Sequence, residues 1–422
     1  MIPELREQFN AHFTPAKYRS LLARTEAEAS APIQFRIAET PIFLSQALLD
    51  SISTAGIALT NRLLDWPQYL ADAANSIPTG YRVAAESRHP NFLTADFALV
   101  RTPNGALAPR LVEMQAFPSV YAYQSMLTDQ YAKAFNLPAN LNTYLSGLDR
   151  DSFFNLLGQT ILGTHAPENV VLTEVDPYNQ KTLPDFLLTS AQFGIPIVDI
   201  THLIPVGNKL HYRNAQGSLV PVHRIYNRAI VDEVIARDIQ LPFDLEAPWE
   251  VEWAGNPNWY FLISKFSVPF LCRPGDPGAE FVPPAVFLSD FLAGHGSQQL
   301  ADSGVPLPSI VNPEAVYDDL LLKPLFSFAG KGIQFAPTQA DLLAIPSADR
   351  AHYLLQQRMT FAPTIETPHG LTQAEIRILY LWPDFGRLTP ALSLIRLGRG
   401  KMMGVDHNRN QEWVGASAAF WR

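Results

Sequence analysis

The chain has 422 residues, 47% of them hydrophobic and 17% charged, with a net charge of −9. That length allows two or three domains around a sizeable core, and the balance is that of an ordinary folded protein. Acids and bases are interspersed, so no basic stripe offers counterion release to a nucleic acid, and no apolar run reaches the roughly 18 residues of a membrane span.

The start, MIPELREQFNAHF, mixes acid and base and is not read as a signal peptide. Up to about residue 80, YRSLLARTEAEA and FLSQALLDSISTAGIALTNRLLDWPQYLADAA carry apolar residues at three and four spacing and predict helices. The period then becomes two. TADFALVRTPNGALAPRLVEMQAFP reads as a hairpin turning at TPNG, followed by a helix from Tyr121 to about Phe135. From about 151 the pattern is α/β: DSFFNLLGQTIL is a helix, NVVLTEV a buried strand, TLPDFLLTSAQFG a helix closed by Gly194, and IPIVDI a strand. No G-x-G-x-x-G follows NVVLTEV, so no nicotinamide site is read there. NKLHYRNAQGSLVPVHRIYNR reads as a hairpin running into a strand.

Near Trp253 the pattern changes again, to EWAGNPNWYFLISKFSVPFL. Cys272, the single cysteine, excludes an intrachain disulfide and has no base beside it in FLCRPGD; a packed thiol in a reducing, cytoplasmic setting is expected. In the last section DLLLKPLF, GIQFA, YLLQQRM, EIRILYLW, TPALSLIRLG and MMGVD are strand candidates, and the small-residue tail VGASAAFWR is read as a closing loop. The 35 prolines are scattered, which suggests long ordered loops. The division is a helical N-terminal region with two polar strands (1–150), an α/β lobe (151–250) and a strand-rich region (251–422), an α/β fold with α+β elements.

Lys323 closes an apolar strand in DDLLLKPLFSFAGKG. Burying an ammonium there is unfavourable unless the strand end opens on an anionic cleft. Ser327, Gly330, Lys331 and Gly332 follow, and small residues let backbone N–H groups approach an anion. The pattern is not a Walker loop, since Lys331 precedes Gly332 rather than Ser or Thr, and by itself it fits a solvated hairpin equally well. Lys265 lies inside another apolar run, where snorkelling is the plain alternative. YLLQQRM suggests a hinge strand whose backbone at Gln356, Gln357 and Met359 reads an adenine edge.

Glu113 and Gln115 are two apart on a strand and share a face, and Asp96 lies on the hairpin partner. If the hairpin turns at TPNG, Asp96 and Glu113 meet, and two acids on one face call for a cation such as magnesium. No H-x-x-x-H or H-E-x-x-H pattern offers a transition-metal site.

Taken in order, these motifs resemble the circularly permuted ATP-grasp ligases, whose relatives include glutathionylspermidine synthetase and eukaryotic glutathione synthetase. In that family an R-x-D strand and an E-x-N strand precede an α/β substrate lobe, a first ATP lysine and a K-P strand with a glycine-rich loop. Here TAD, EMQ, SK and KPLFSFAGKG stand in the same order. The resemblance spans about residues 80–422 and implies ATP and Mg2+ as cofactors, with Asp96, Glu113 and Gln115 on the metal and Lys265 and Lys323 on the nucleotide. It implies an acyl-phosphate route joining a small-molecule or peptide-like carboxylate to an amine. Arg228, Arg377 and Arg396 are the candidates for substrate and phosphate contacts, because a guanidinium fork matches carboxylates and phosphates. Glu375 beside Arg377 offers a structural ion pair instead.

The departures are Thr94 in place of the family's arginine, with Arg82 and Arg88 as possible stand-ins, Gln115 in place of asparagine, and Ser327 in place of a glutamate. The amidase domain that often accompanies glutathionylspermidine synthetase has no counterpart. These departures leave a nucleotide-binding protein without turnover as the alternative. Homo-oligomerisation is left open.

Overall fold

The computed structural model describes residues 1–422 apart from 86, 309–311, 327–331, 401–402 and 404–409. Its largest sheet has the strand order Ile42–Leu44, Gly415–Trp421, Thr389–Gly398, Gly370–Leu381, Phe92–Arg101 and Leu107–Gln115, with Ile365–Thr367 paired to the start of Gly370–Leu381. All these pairs are antiparallel except Ile42–Leu44 with Gly415–Trp421.

Alternation along Gly370–Leu381 divides the two faces of this sheet. Ala374, Ile376, Ile378 and Tyr380 pack with Ile52, Ala55, Leu59 and Leu63 of the helix Gln46–Leu64. Those helix positions repeat at three and four, so one apolar stripe lies on the sheet. On the opposite face Leu379 and Leu381 join Phe92, Tyr121, Phe153 and Tyr226. Glu375 and Arg377 share that second face, so charge stands beside an apolar patch.

A second sheet is parallel throughout: Glu252–Ala254, Arg224–Asn227, Val170–Glu174 and Ile197–Asp199, in that order. From Val170–Glu174 the chain passes through the helix Leu183–Phe193 to Ile197–Asp199 on one side. It then returns to Arg224–Asn227 on the other, so the winding reverses between the Glu174 and Asn227 ends. A crevice for ligands opens at that point in open α/β sheets. Gly194, at φ 70°, closes the crossover helix as expected.

The third sheet, Ala285–Phe287, Tyr353–Gln357, Leu320–Pro324 and Gln334–Phe335, is antiparallel. Val286, Leu320, Leu322 and Leu355 pack on one side against Phe291, Leu300 and Leu342. Leu321, Lys323 and Gln356 alternate to the other side.

Most expected elements form: four helices between Pro3 and Ala74, the hairpin Phe92–Arg101 with Leu107–Gln115, and the helix Tyr121–Phe135. The tail is a correction. VGASAAFWR is not a closing loop, because Gly415–Trp421 is a buried strand inside the largest sheet. Its small residues admit close neighbours: a Cβ on Gly415 would lie 2.4 Å from the carbonyl oxygen of Arg36. Cys272 is buried, and burial pushes its thiol pKa up, as a packed thiol requires. Among the described residues no helix is long and apolar enough to cross a membrane. MMGVD lies almost wholly outside the described residues.

Candidate functional site

The hairpin brings Asp96 opposite Glu113 and Thr94 opposite Gln115. The next pair is Phe97 with Leu111, so Val112 is an extra residue and the strand bulges beside the acids. Across the other edge Asp96 faces Arg377, and Glu375 faces Arg396 one strand further on. Alternation therefore gathers Asp96, Glu113, Glu375, Arg377 and Arg396 on one face.

Asp96 is 1% exposed and is held by both arginines. Arg377 donates through Nε at 2.6 Å and Nη2 at 2.7 Å to its two oxygens, and Arg396 Nη2 donates to Oδ2 as well. Arg396 also pairs with Glu375. Burial alone would raise the Asp96 pKa, but the two guanidiniums outweigh it and hold it below the usual carboxylate range. Glu375 is pushed up to about 6, because burial outweighs the help of Arg396. The cation that the two facing acids call for is therefore already present as arginine. Both Asp96 oxygens are engaged, which differs from the expected metal-ligand role, and Arg377 pairs with Asp96 rather than Glu375. Glu113 keeps 29% of its side chain exposed and lies 3.9 Å from Arg377 Nη2. Among the described residues no three of His, Cys, Asp and Glu gather around a metal position.

Lys323 is 6% exposed at the end of its strand. Its Nζ donates to Gln356 Oε1 at 2.6 Å, while Gln356 Nε2 is buried without a partner. Burial lowers the Lys323 pKa to about 8, with Glu113 and Glu375 opposing that fall and Lys265 adding to it. Lys323 thus lies in the fields of Lys265, Glu113 and Glu375. Ser327, Gly330 and Lys331 lie outside the described residues. Gly332, at φ 79°, is in the left-handed region where glycine is favoured, and its strand Gln334–Phe335 pairs back onto the Lys323 strand. In the expected hinge, Gln357 N–H donates to the Pro284 carbonyl and Arg358 N–H to that of Asp319, so both amides are used within the fold.

Arg228 follows Asn227 at the carboxyl end of the parallel sheet, where the winding reverses. Its Nη1 meets Asp185 Oδ2 at 2.5 Å, its guanidinium lies over Phe186 and Tyr226, and its Nε is buried without a partner. Glu174, at the neighbouring strand end, is pushed up to about 8 by burial. Tyr121 lies in the field of both Arg228 and Arg377, so the crevice and the charged sheet face adjoin.

Sequence reasoning missed Asp185, Glu174, and the pair Tyr260 and Asp232, whose hydroxyl and carboxylate meet at 2.7 Å. Asp232 lies in the field of Lys265, and Tyr260 in that of Glu113. Their one signal was proximity to residues already chosen, in IYNRAIVDE and NWYFLISK. Thr94 is buried and its hydroxyl donates to the Gln115 carbonyl. Arg377, one pairing step away, supplies positive charge there, whereas Arg82 and Arg88 line a different cavity.

No family model and no curated protein sequence matches the chain. Among solved structures, the fold is that of a glutathione synthetase-like effector from Globodera pallida in its apo form, at TM-score 0.54 and 12% identity, covering 97% of this chain and 99% of that one. A gamma-glutamylcysteine synthetase candidate from Methylobacillus flagellatus KT aligns at TM-score 0.40 and 14% identity over 86% of this chain and 85% of its own. At these identities the first likeness establishes a shared fold: this chain folds like a glutathione synthetase-like protein.

Proposed function

We propose that the chain is an ATP- and Mg2+-dependent carboxylate–amine ligase with a circularly permuted ATP-grasp architecture, acting through an acyl phosphate on a small or peptide-like acid. The observation that carries this reading is Lys323, a buried ammonium with its pKa lowered by burial, whose hydrogen-bond partner among the described residues is an amide oxygen. Such a group gains from a bound polyanion. The fold shared with a glutathione synthetase-like protein supports the same reading.

On this reading Lys323, Lys265, Gly332 and residues 327–331 hold the triphosphate, and the segment from Gln356 to Met359 borders the adenine. Glu113 and Gln115 hold Mg2+, and the donor set fits, because magnesium takes one or two carboxylates and completes its shell with phosphate oxygens and water. Bound Mg2+ neutralises phosphate charge during transfer. Asp96 positions Arg377 and Arg396, which stabilise charge on the transferring group. Arg228, fixed by Asp185, receives the carboxylate of the acid or the acceptor. The expected setting is cytoplasmic, with small-molecule acids and amines as partners.

A second reading is nucleotide binding without turnover. It is favoured by the locking of both Asp96 and Glu375 into arginine pairs, which leaves one acid of that face for a metal. Phosphate release from Mg·ATP, measured with a panel of peptide acids and amines supplied singly and together, separates the two. The ligase predicts release that needs both; ATP binding with no release under any pairing supports the second reading.

A further inference from the structure

A groove of about 630 Å3 opens between the helix Gln46–Leu64 and the turn that joins Gly370–Leu381 to Thr389–Gly398, and none of Asp96, Glu113, Lys265, Lys323, Arg377 or Arg396 lines it. Its size falls in the range of about 300–1,000 Å3 usual for small-molecule sites. Asp50, Ser53, Thr54, Ile57 and Asn61 follow at three and four spacing, so one stripe of the helix, beside the stripe packed on the sheet, forms one wall. The turn forms the other and carries Arg387. Trp382 Nε1 closes that turn by donating to the Gly386 carbonyl at 3.2 Å, and Ser146 Oγ donates to the Pro390 carbonyl at 2.8 Å, so this wall is held by bonds within the fold. Leu145 and Leu388, both buried, give the groove an apolar lining together with Ile57.

Two charges of opposite sign line this groove without meeting. Asp50 and Arg387 are both exposed, no ion pair joins them, and among the described residues neither side chain has a hydrogen-bond or ion-pair partner. Ser53 is an independent sign of a missing partner. It is 6% exposed and its Oγ is buried with nothing bonded to it, whereas Thr60 on the same helix gives its hydroxyl to the Gly56 carbonyl at 2.7 Å. We infer that the groove binds a short zwitterionic peptide, with its α-ammonium at Asp50, its carboxylate at Arg387 and an apolar side chain over Ile57, Leu145 and Leu388. An inorganic anion leaves Asp50 unmatched, a simple amine leaves Arg387 unmatched, and a single amino acid leaves most of the volume unfilled. The inference stands apart from the ligase reading, because it uses none of that reading's residues.

Calorimetric titration of the full chain, without nucleotide, with alanyl-leucyl-alanine and with its N-acetylated and C-amidated forms tests the site. The free peptide binds saturably, and each blocked form binds about tenfold or more weakly. Asp50→Asn removes the preference for a free amine and keeps that for a free carboxylate, and Arg387→Gln does the reverse. That pairing of variant with blocked end separates this groove from a peptide site anywhere else in the chain. Both side chains are exposed, so both variants keep their fold. Thr54→Trp, made at an exposed position, fills the groove with both charges in place and abolishes binding. Absence of saturable binding, blocked peptides that bind as tightly as the free one, or variants that retain both preferences overturn the inference.

Discussion

Asp96 and Glu113 face each other across one strand pair, yet their environments assign them different work. Asp96 is buried between two guanidiniums, so Asp96→Asn removes the charge that Arg377 meets through both Nε and Nη2. Breaking a buried pair from one side typically costs about 3–5 kcal/mol, and urea denaturation should report a loss of that order. Glu113→Gln removes a partly exposed carboxylate whose ion pair with Arg377 Nη2 is long, at 3.9 Å, so stability should change by about 0.5 kcal/mol or less. The same variant should weaken the magnesium dependence of ATP binding. Lys323 gives a pH signature. Its pKa is depressed to about 8 from 10.5, so the folded apo protein releases this proton before the unfolded chain does. Stability from this group therefore rises as pH climbs from about 8 towards 10.5, while affinity for Mg·ATP, which needs the ammonium, falls over the same range. Lys323→Arg, which keeps its charge, should abolish that fall in affinity measured by titration calorimetry.

At the scale of elements, the legible part of the fold was the part with local signals. TPNG between alternating strands predicted the hairpin, and its register brought Asp96 to Glu113. The bulge at Val112 left no mark in the pattern. The arginine partners of Asp96 were hidden for another reason, since they lie 281 and 300 residues away and reach it only through strand order in the sheet. Gly415–Trp421 was illegible because Gly, Ala and Ser carry low strand propensity. What makes it a strand is its neighbours: Ser417 donates to the Thr40 carbonyl, and Gln124 from the helix Tyr121–Phe135 donates to the Ser417 carbonyl. Gly415→Ala should therefore lower the melting temperature, by a destabilisation of about 2 kcal/mol or more, since φ is 123° and the new Cβ would meet backbone. Unchanged melting would show that the backbone around Gly415 yields easily.

Three sheets carry the candidate residues: Lys323 lies in the fields of Glu113 and Glu375, and Tyr121 in those of Arg377 and Arg228. The largest contributes acids and arginines, the antiparallel sheet contributes Lys323 and Gln356, and the parallel sheet contributes Arg228 at its point of reversed winding. The lysine-bearing segments, 265 and 323, come from elements far apart in the chain, yet Lys323 feels Lys265, Glu113 and Glu375 together. On the proposed reading a single triphosphate binds among these residues. Thermal unfolding with and without Mg·ATP, on wild type and Lys323→Ala side by side, checks this. At about a hundredfold excess over the dissociation constant, wild type should gain about 2.7 kcal/mol of stability, and the variant should gain little. A variant stabilised by Mg·ATP as much as wild type, or a wild type that gains nothing, would rule out a triphosphate bound at Lys323.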